Sequence, residues 1–206
     1  MTARLARVTI GLLVVVGGGA AAAAAQTMEV APFVGYRFGG GFFERITNQP
    51  VDLDGAPAVG GVVNVEMHDG LWFEGLFTHQ EALVDVPGGL LLPPARLRIT
   101  VDQWFAGGLQ EFGSNPAIRP FATGLLGLTR YAADTDSELR FAVGAGGGVK
   151  LRPARHVAVR LDGRVFTTFA DFDARAGVCT TGRCALAFAA DVVWQAEFTA
   201  GLSIIF

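Results

Sequence analysis

Past residue 25 the chain has no uninterrupted apolar run of about 18 residues, so no ordinary transmembrane helix follows its first segment. Only two cysteines and three histidines are present, and the serines are Ser114, Ser137 and Ser203. The basic residues do not cluster and the aromatics do not interleave with them. With a formal charge of −3, this excludes a nucleic-acid partner. Charged residues are 17% of a chain that is 51% hydrophobic, which is greasy for a soluble protein. The 28 glycines and scattered polar residues nonetheless argue against a bundle of membrane helices. A length of 206 residues favours one domain.

These scarcities also bear on chemistry. Nucleophilic or hydrolytic catalysis needs a nucleophile or activated water beside an oriented base. His68 falls in an expected short turn, His156 opens a strand, and His79 lies near a rim beside Thr78 and Glu81. None has a serine close by in the expected arrangement, so no catalytic residues are assigned and an enzyme is not expected. The glycine run "GAGGGVK" lacks the Lys-Ser/Thr ending of a phosphate loop. Its glycines are expected to make room for bulky neighbours. No cofactor or metal site is expected.

The first segment, "MTARLARVTIGLLVVVGGGAAAAAAQ", carries Arg4 and Arg7, an apolar run and an alanine-rich tail with an A-x-A site. This is the pattern of a cleavable secretory signal peptide over residues 1–25, leaving a mature chain of 26–206. Without Arg4 and Arg7, 14 basic residues face 19 acidic ones, a charge of −5. An exported chain can hold a disulfide, and Cys179 and Cys184 in "CTTGRC" are expected to form one. Closing so small a loop is worth about 2 kcal/mol. The spacing is not the C-x-x-C of redox pairs, and no further Cys or His stands nearby to complete a metal site.

The mature chain alternates apolar and polar residues almost throughout, the period of β-strands. "EVAPFVGYRF" sets Val30, Pro32, Val34, Tyr36 and Phe38 against Glu29 and Arg37. "GVVNVEM" sets Val63, Val65 and Met67 against Asn64 and Glu66, and "LWFEGLF" sets Leu71, Phe73 and Phe77 against Glu74. "RLRITVDQWF" reads as Leu97, Ile99, Val101 and Phe105 against Arg98, Thr100 and Asp102. "HVAVRLDGRVF" opposes four apolar residues to Arg160, Asp162 and Arg164. "RPFATGLLGLTRY" has no clean register, and "LRFAVGAGGGVKL" is glycine-rich on its polar side. The closing "VVWQAEFTAGLSIIF" alternates to its last residue, making about eight strands.

Short connections are expected near His68–Gly70, Glu111–Ala117 and Arg152–Arg155. Long ones are expected near Gly39–Ala56, Glu81–Arg96, Ala132–Glu138 and Ala170–Ala190. This rhythm is that of an all-β, eight-stranded, antiparallel up-and-down transmembrane barrel. Alternation alone leaves open a soluble, lipocalin-like barrel with its apolar face inside. Three features favour the membrane form. The polar faces carry both signs of charge: Glu29, Arg37, Glu66, Glu74, Arg98, Asp102, Lys150, Arg160, Asp162, Arg164 and Glu197, a candidate lumen network. Tyr36, Phe38, Phe105, Phe169, Trp194 and Phe206 fall near strand ends on the apolar side, where an interface would hold them. The C-terminal helix that lipocalins usually carry is not expected here.

The first mature strand, "EVAPFVGYRFGGGFF", and the closing "FTAGLSIIF" resemble the small eight-stranded outer-membrane barrels of Gram-negative bacteria, of the OmpW, OmpX and OmpA-transmembrane-domain type. The resemblance spans the mature chain as a pattern rather than as fixed residues. It implies residence in the cell outer membrane, contact with its lipid, and recognition of the final strand by the barrel-assembly machinery, with Phe206 as the assembly signal. An eight-stranded interior is just wide enough for side chains to fill it. A structural or surface-interaction role with a lumen plugged by paired charges is therefore expected. The alternative is a narrow channel for small or hydrophobic solutes, as OmpW-like barrels suggest.

Overall fold

The computed structural model describes residues 27–44, 50–86, 95–133, 136–169, 188–189 and 192–206. The segment read as a signal peptide and both Cys179 and Cys184 lie outside these residues. Among the described residues, eleven strands occur in chain order: β1 (Met28–Gly39), β2 (Gly41–Glu44), β3 (Pro50–Asp52), β4 (Ala56–His68), β5 (Leu71–Val86), β6 (Ala95–Glu111), β7 (Ile118–Ala133), β8 (Asp136–Ala154), β9 (Val157–Phe169), β10 (Phe188–Ala189) and β11 (Val192–Ile205).

Eight of them close a barrel in the order β1-β11-β9-β8-β7-β6-β5-β4, and every pairing in it is antiparallel. The remaining three form a small sheet, β10-β2-β3. The barrel closes where β1 meets β11, with Glu29 opposite Ile205 and Arg37 opposite Glu197. Closure leaves no unpaired sheet edge, which a hydrocarbon environment requires because it offers backbone groups no water.

The links His68–Leu71, Glu111–Ile118 and Ala154–Val157 lie at the end beside Met28 and Phe206, and the strand ends Gly39, Val86, Ala133 and Phe169 lie at the other. Two of the expected long connections are mostly strand: β5 runs to Val86 with β6 starting at Ala95, and β7 ends at Ala133 with β8 starting at Asp136. β8 is 19 residues long, well beyond the about 9–11 residues a tilted strand needs to cross a bilayer. The hairpins simply continue past the apolar band.

The band itself is on the outside. Val34 (64% exposed), Leu126 (62%), Trp194 (61%) and Phe198 (62%) point outward, while Glu29, Arg37 and Lys150 are wholly buried inside. This inverts a soluble barrel and removes the lipocalin-like alternative, which needs its charges outside. Outward aromatics touch in pairs across strands: Phe38 with Phe198, Phe77 with Trp104, and Phe141 with Phe169.

One expected outer aromatic is placed differently. Phe105 points inward and stacks on Phe166, with ring centroids 5.0 Å apart. The glycines of β8 explain how such rings fit. A Cβ on Gly144 would stand 3.1 Å from the Phe166 ring, and one on Gly148 would stand 2.8 Å from the Phe121 ring.

Candidate functional site

The barrel interior is layered. Nearest the short turns lies an ionic layer to which all eight barrel strands contribute. Lys150 Nζ donates to Glu29 Oε2 at 2.6 Å and lies 3.0 Å from Glu111 Oε1. Ser203 donates to the other Glu29 oxygen at 2.8 Å. Arg160 reaches from β9 to Glu74 on the opposite wall at 2.5 Å, and its Nε donates to Asp162 at 2.9 Å. Arg164 Nη2 stands 3.3 Å from both Glu74 and Asp162. Asn64, with its amide turned to suit its neighbours, accepts from Arg160 and donates to Glu74. At the rim, Arg119 and Arg152 close on Glu111 at 3.0 and 2.8 Å. Trp72 and Phe121 offer ring faces to Lys150 and Arg160, at 4.7 and 4.5 Å from the centroids.

Above this layer is an apolar belt of Phe33, Val62, Leu76, Phe105, Leu125 and Phe166. Above the belt, toward the long connections, the lining turns polar again. The Arg37 guanidinium rests 5.4 Å from the Phe166 centroid and donates through Nε and Nη2 to Glu197, at 2.9 and 2.5 Å. The same Nη2 donates to Thr78 at 2.7 Å. Gln103 donates across the bore to Gln195 at 3.3 Å and to Thr129 at 3.2 Å.

The structure thus gathers Glu29, Arg37, Glu74, Lys150, Arg160, Asp162, Arg164 and Glu197 inside, in two groups separated by the belt. Three residues expected with them are placed elsewhere. Asp102 is on the outer wall, of opposite parity to the inward Val101, Gln103 and Phe105, and is itself largely covered there (8% exposed). Arg98, four residues away on the same face, is 68% exposed and pairs with Glu81 at 3.5 Å. Glu66 keeps the inward parity of Asn64 but sits half-buried at the register shift near the end of β4, apart from both groups. The cause in β6 is that the apolar belt claims Phe105, so the apolar face of this strand is the inner one. The interior also takes in residues not expected there: Glu111 in the ionic layer, and the uncharged Gln80, Gln103, Gln195 and Thr78 on inward faces above the belt. Only strand parity could have flagged them.

On the outer wall, His79, Asp102 and Arg130 stand directly opposite one another in a single cross-strand row. His79 Nδ1 is 2.6 Å from Asp102, and Arg130 is 3.4 Å from its other oxygen. The row immediately below holds Phe77, Trp104, Leu128 and Phe141. Charge therefore begins one row above the aromatic edge of the band, where its cost on a lipid-facing wall has fallen to about 0–1 kcal/mol. His79 does have an acidic neighbour, which the reversed reading of β6 concealed. No nucleophile accompanies the pair among the hydrogen bonds of the described residues.

Comparison with solved structures agrees with this architecture. The chain superimposes on Neisserial surface protein A with a TM-score of 0.57 at 11% identity, covering 86% of this chain and 96% of that one. The chain has the fold of a small outer-membrane β-barrel. The outer membrane protein AlkL, solved in lipid bilayers, shares this barrel fold with a TM-score of 0.53 at 11% identity, covering 92% of this chain and 95% of that one. No family model matches the chain, and no curated protein matches it in sequence. What the chain shares with these barrels is the architecture.

Proposed function

We propose that this protein is an integral barrel of the Gram-negative outer membrane with a structural or surface-interaction role, and that its own side chains close its bore to solutes. The apolar outer wall supports the membrane placement, because its residues would meet water in any soluble state. The observation that carries the closure is the pair of contacts between opposite walls, Arg160 to Glu74 and Gln103 to Gln195, with the belt of packed rings between them. A passing solute would have to break both and part the belt. A role at the cell exterior accords with the name of one structural relative, a surface protein.

The proposal extends to the features outside the described residues: cleavage of residues 1–25, a Cys179–Cys184 disulfide, and assembly by the barrel-assembly machinery.

The test has two steps. Residues 26–206 are refolded into detergent and run boiled and unboiled on a denaturing gel, where a mobility shift marks the folded barrel. The folded protein is then placed in planar bilayers. Negligible single-channel conductance is expected; reproducible current steps would replace closure with the narrow-channel reading.

A further inference from the structure

The polar layer between the belt and the long connections has hydrogen-bonding capacity left over. Five atoms on five side chains lack a protein partner: Arg37 Nη1, Gln80 Oε1, Gln103 Oε1, Gln195 Nε2 and Glu197 Oε1. Every one of these residues is at most 1% exposed. They form one neighbourhood. Arg37 holds Glu197, Gln80 donates to the Arg37 carbonyl at 3.1 Å, and Gln103 donates to Gln195. Gln195 and Glu197 share the inner face of β11, and Gln103 stands opposite Thr78, which itself contacts Arg37 and Glu197.

A buried donor or acceptor left unmade costs the full desolvation of that group, and native interiors seldom tolerate several together. The spare set is mixed: three oxygens that need donors and two N–H groups that need acceptors. An anion would face the three oxygens, and a cation would face Arg37. We infer that this layer is a binding chamber for small uncharged molecules that both donate and accept hydrogen bonds, entered from the long-connection end and stopped by the apolar belt. Water has this chemistry, and so do neutral solutes such as urea and glycerol. The chamber makes the interior asymmetric. Below the belt the unpartnered atoms are all N–H donors, on Trp72, Arg152 and Arg164, and Asn64 is engaged by Glu74 and Arg160.

The experiment is solution NMR on the full mature barrel in detergent micelles, with folding confirmed first by the gel shift, so failure to fold is not confused with failure of the inference. Magnetisation transfer from water should reach the side-chain amides of Gln80, Gln103 and Gln195, and these should exchange in D2O well before that of Asn64. Urea and glycerol are then titrated at non-denaturing concentration. Saturable shifts confined to the three glutamines identify a solute chamber, and their absence with water transfer retained identifies water as the occupant; either supports the chamber. The paired variant Q103L/Q195L should retain the gel shift and abolish transfer to Gln80. Glutamine amides as protected as Asn64, with no transfer from water, would overturn the inference. So would unchanged transfer to Gln80 in the paired variant.

Discussion

Arg160 on β9 and Glu74 on β5 meet at 2.5 Å from opposite walls of the barrel, joining positions 86 residues apart in sequence. Both are essentially unexposed. A buried pair of this kind returns little net stability, because desolvating the two charges offsets their attraction. Removing one partner is another matter. Arg160→Leu should destabilise the barrel by about 3–5 kcal/mol, since it leaves Glu74, Asp162 and Glu29 short of positive charge in a dry interior. Urea titration of the refolded protein in lipid vesicles measures this. The double variant Glu74→Leu/Arg160→Leu should lose less than the sum of the two single losses.

The outer ionic row should behave oppositely. His79 and Arg130 are 36% and 46% exposed, while the Asp102 side chain they cover is 12% exposed, so both ion pairs keep one solvated partner. Such pairs are worth about 0–1 kcal/mol. Asp102→Ala should therefore shift the urea midpoint only slightly, and the shift should shrink further in high salt. A loss comparable to that of Arg160→Leu would mean that Asp102 supports the wall in a way these contacts do not account for.

Leu161 lies near the middle of β9 on the outward face, paired with Ala200 and Val149. In a bilayer, Leu161→Arg should cost about 2–4 kcal/mol, the depth-dependent penalty for charge near the midplane. Leu83, beyond His79 and Glu81 on the same face of β5, should accept arginine for about 0–1 kcal/mol. Equal costs at the two positions, measured by refolding into vesicles, would contradict the placement of the band.

How much of this was legible depends on the strand. β1 and β11 are readable because their outer residues are apolar and their inner ones include Glu29, Arg37, Gln195 and Glu197, so parity and polarity agree. In β6 they disagree. Val101, Phe105 and Leu109 face inward and Asp102 outward, and period-two alternation carries no sign to say which face is which. β7 has no clean pattern because Phe121 and Leu125 pack inside while Leu126 and Leu128 face outward, leaving both faces apolar. The membership of the ionic layer follows from parity, but its pairings do not. Lys150 with Glu29 and Ser203 with Glu29 join residues 121 and 174 apart, and only the closed register brings them together.

The glycines of β8 give a packing prediction. At Gly148 a methyl group would run into the Leu161 carbonyl as well as the Phe121 ring. A carbonyl in a paired strand cannot swing aside as a side chain can. Gly148→Ala should therefore cost about 1–3 kcal/mol through overpacking. The expected result is a reduced fraction of the fast-migrating folded band on unboiled gels. A stability equal to the parent protein would show that β8 and β9 can separate locally without loss.

Phe206 separates two roles that one residue can combine. Its backbone N–H donates to the Met28 carbonyl at 2.8 Å, tying the two ends of the barrel seam. Its ring is 71% exposed and makes little of the fold. Phe206→Ala keeps the backbone bond and removes only the ring, so the refolded protein should lose little stability in detergent. If the ring is also what the assembly machinery reads, the same variant should accumulate poorly in the outer membrane of living cells. Normal insertion in cells would leave Phe206 as a lipid contact alone. A large loss of stability in detergent would instead make the ring a structural part of the seam.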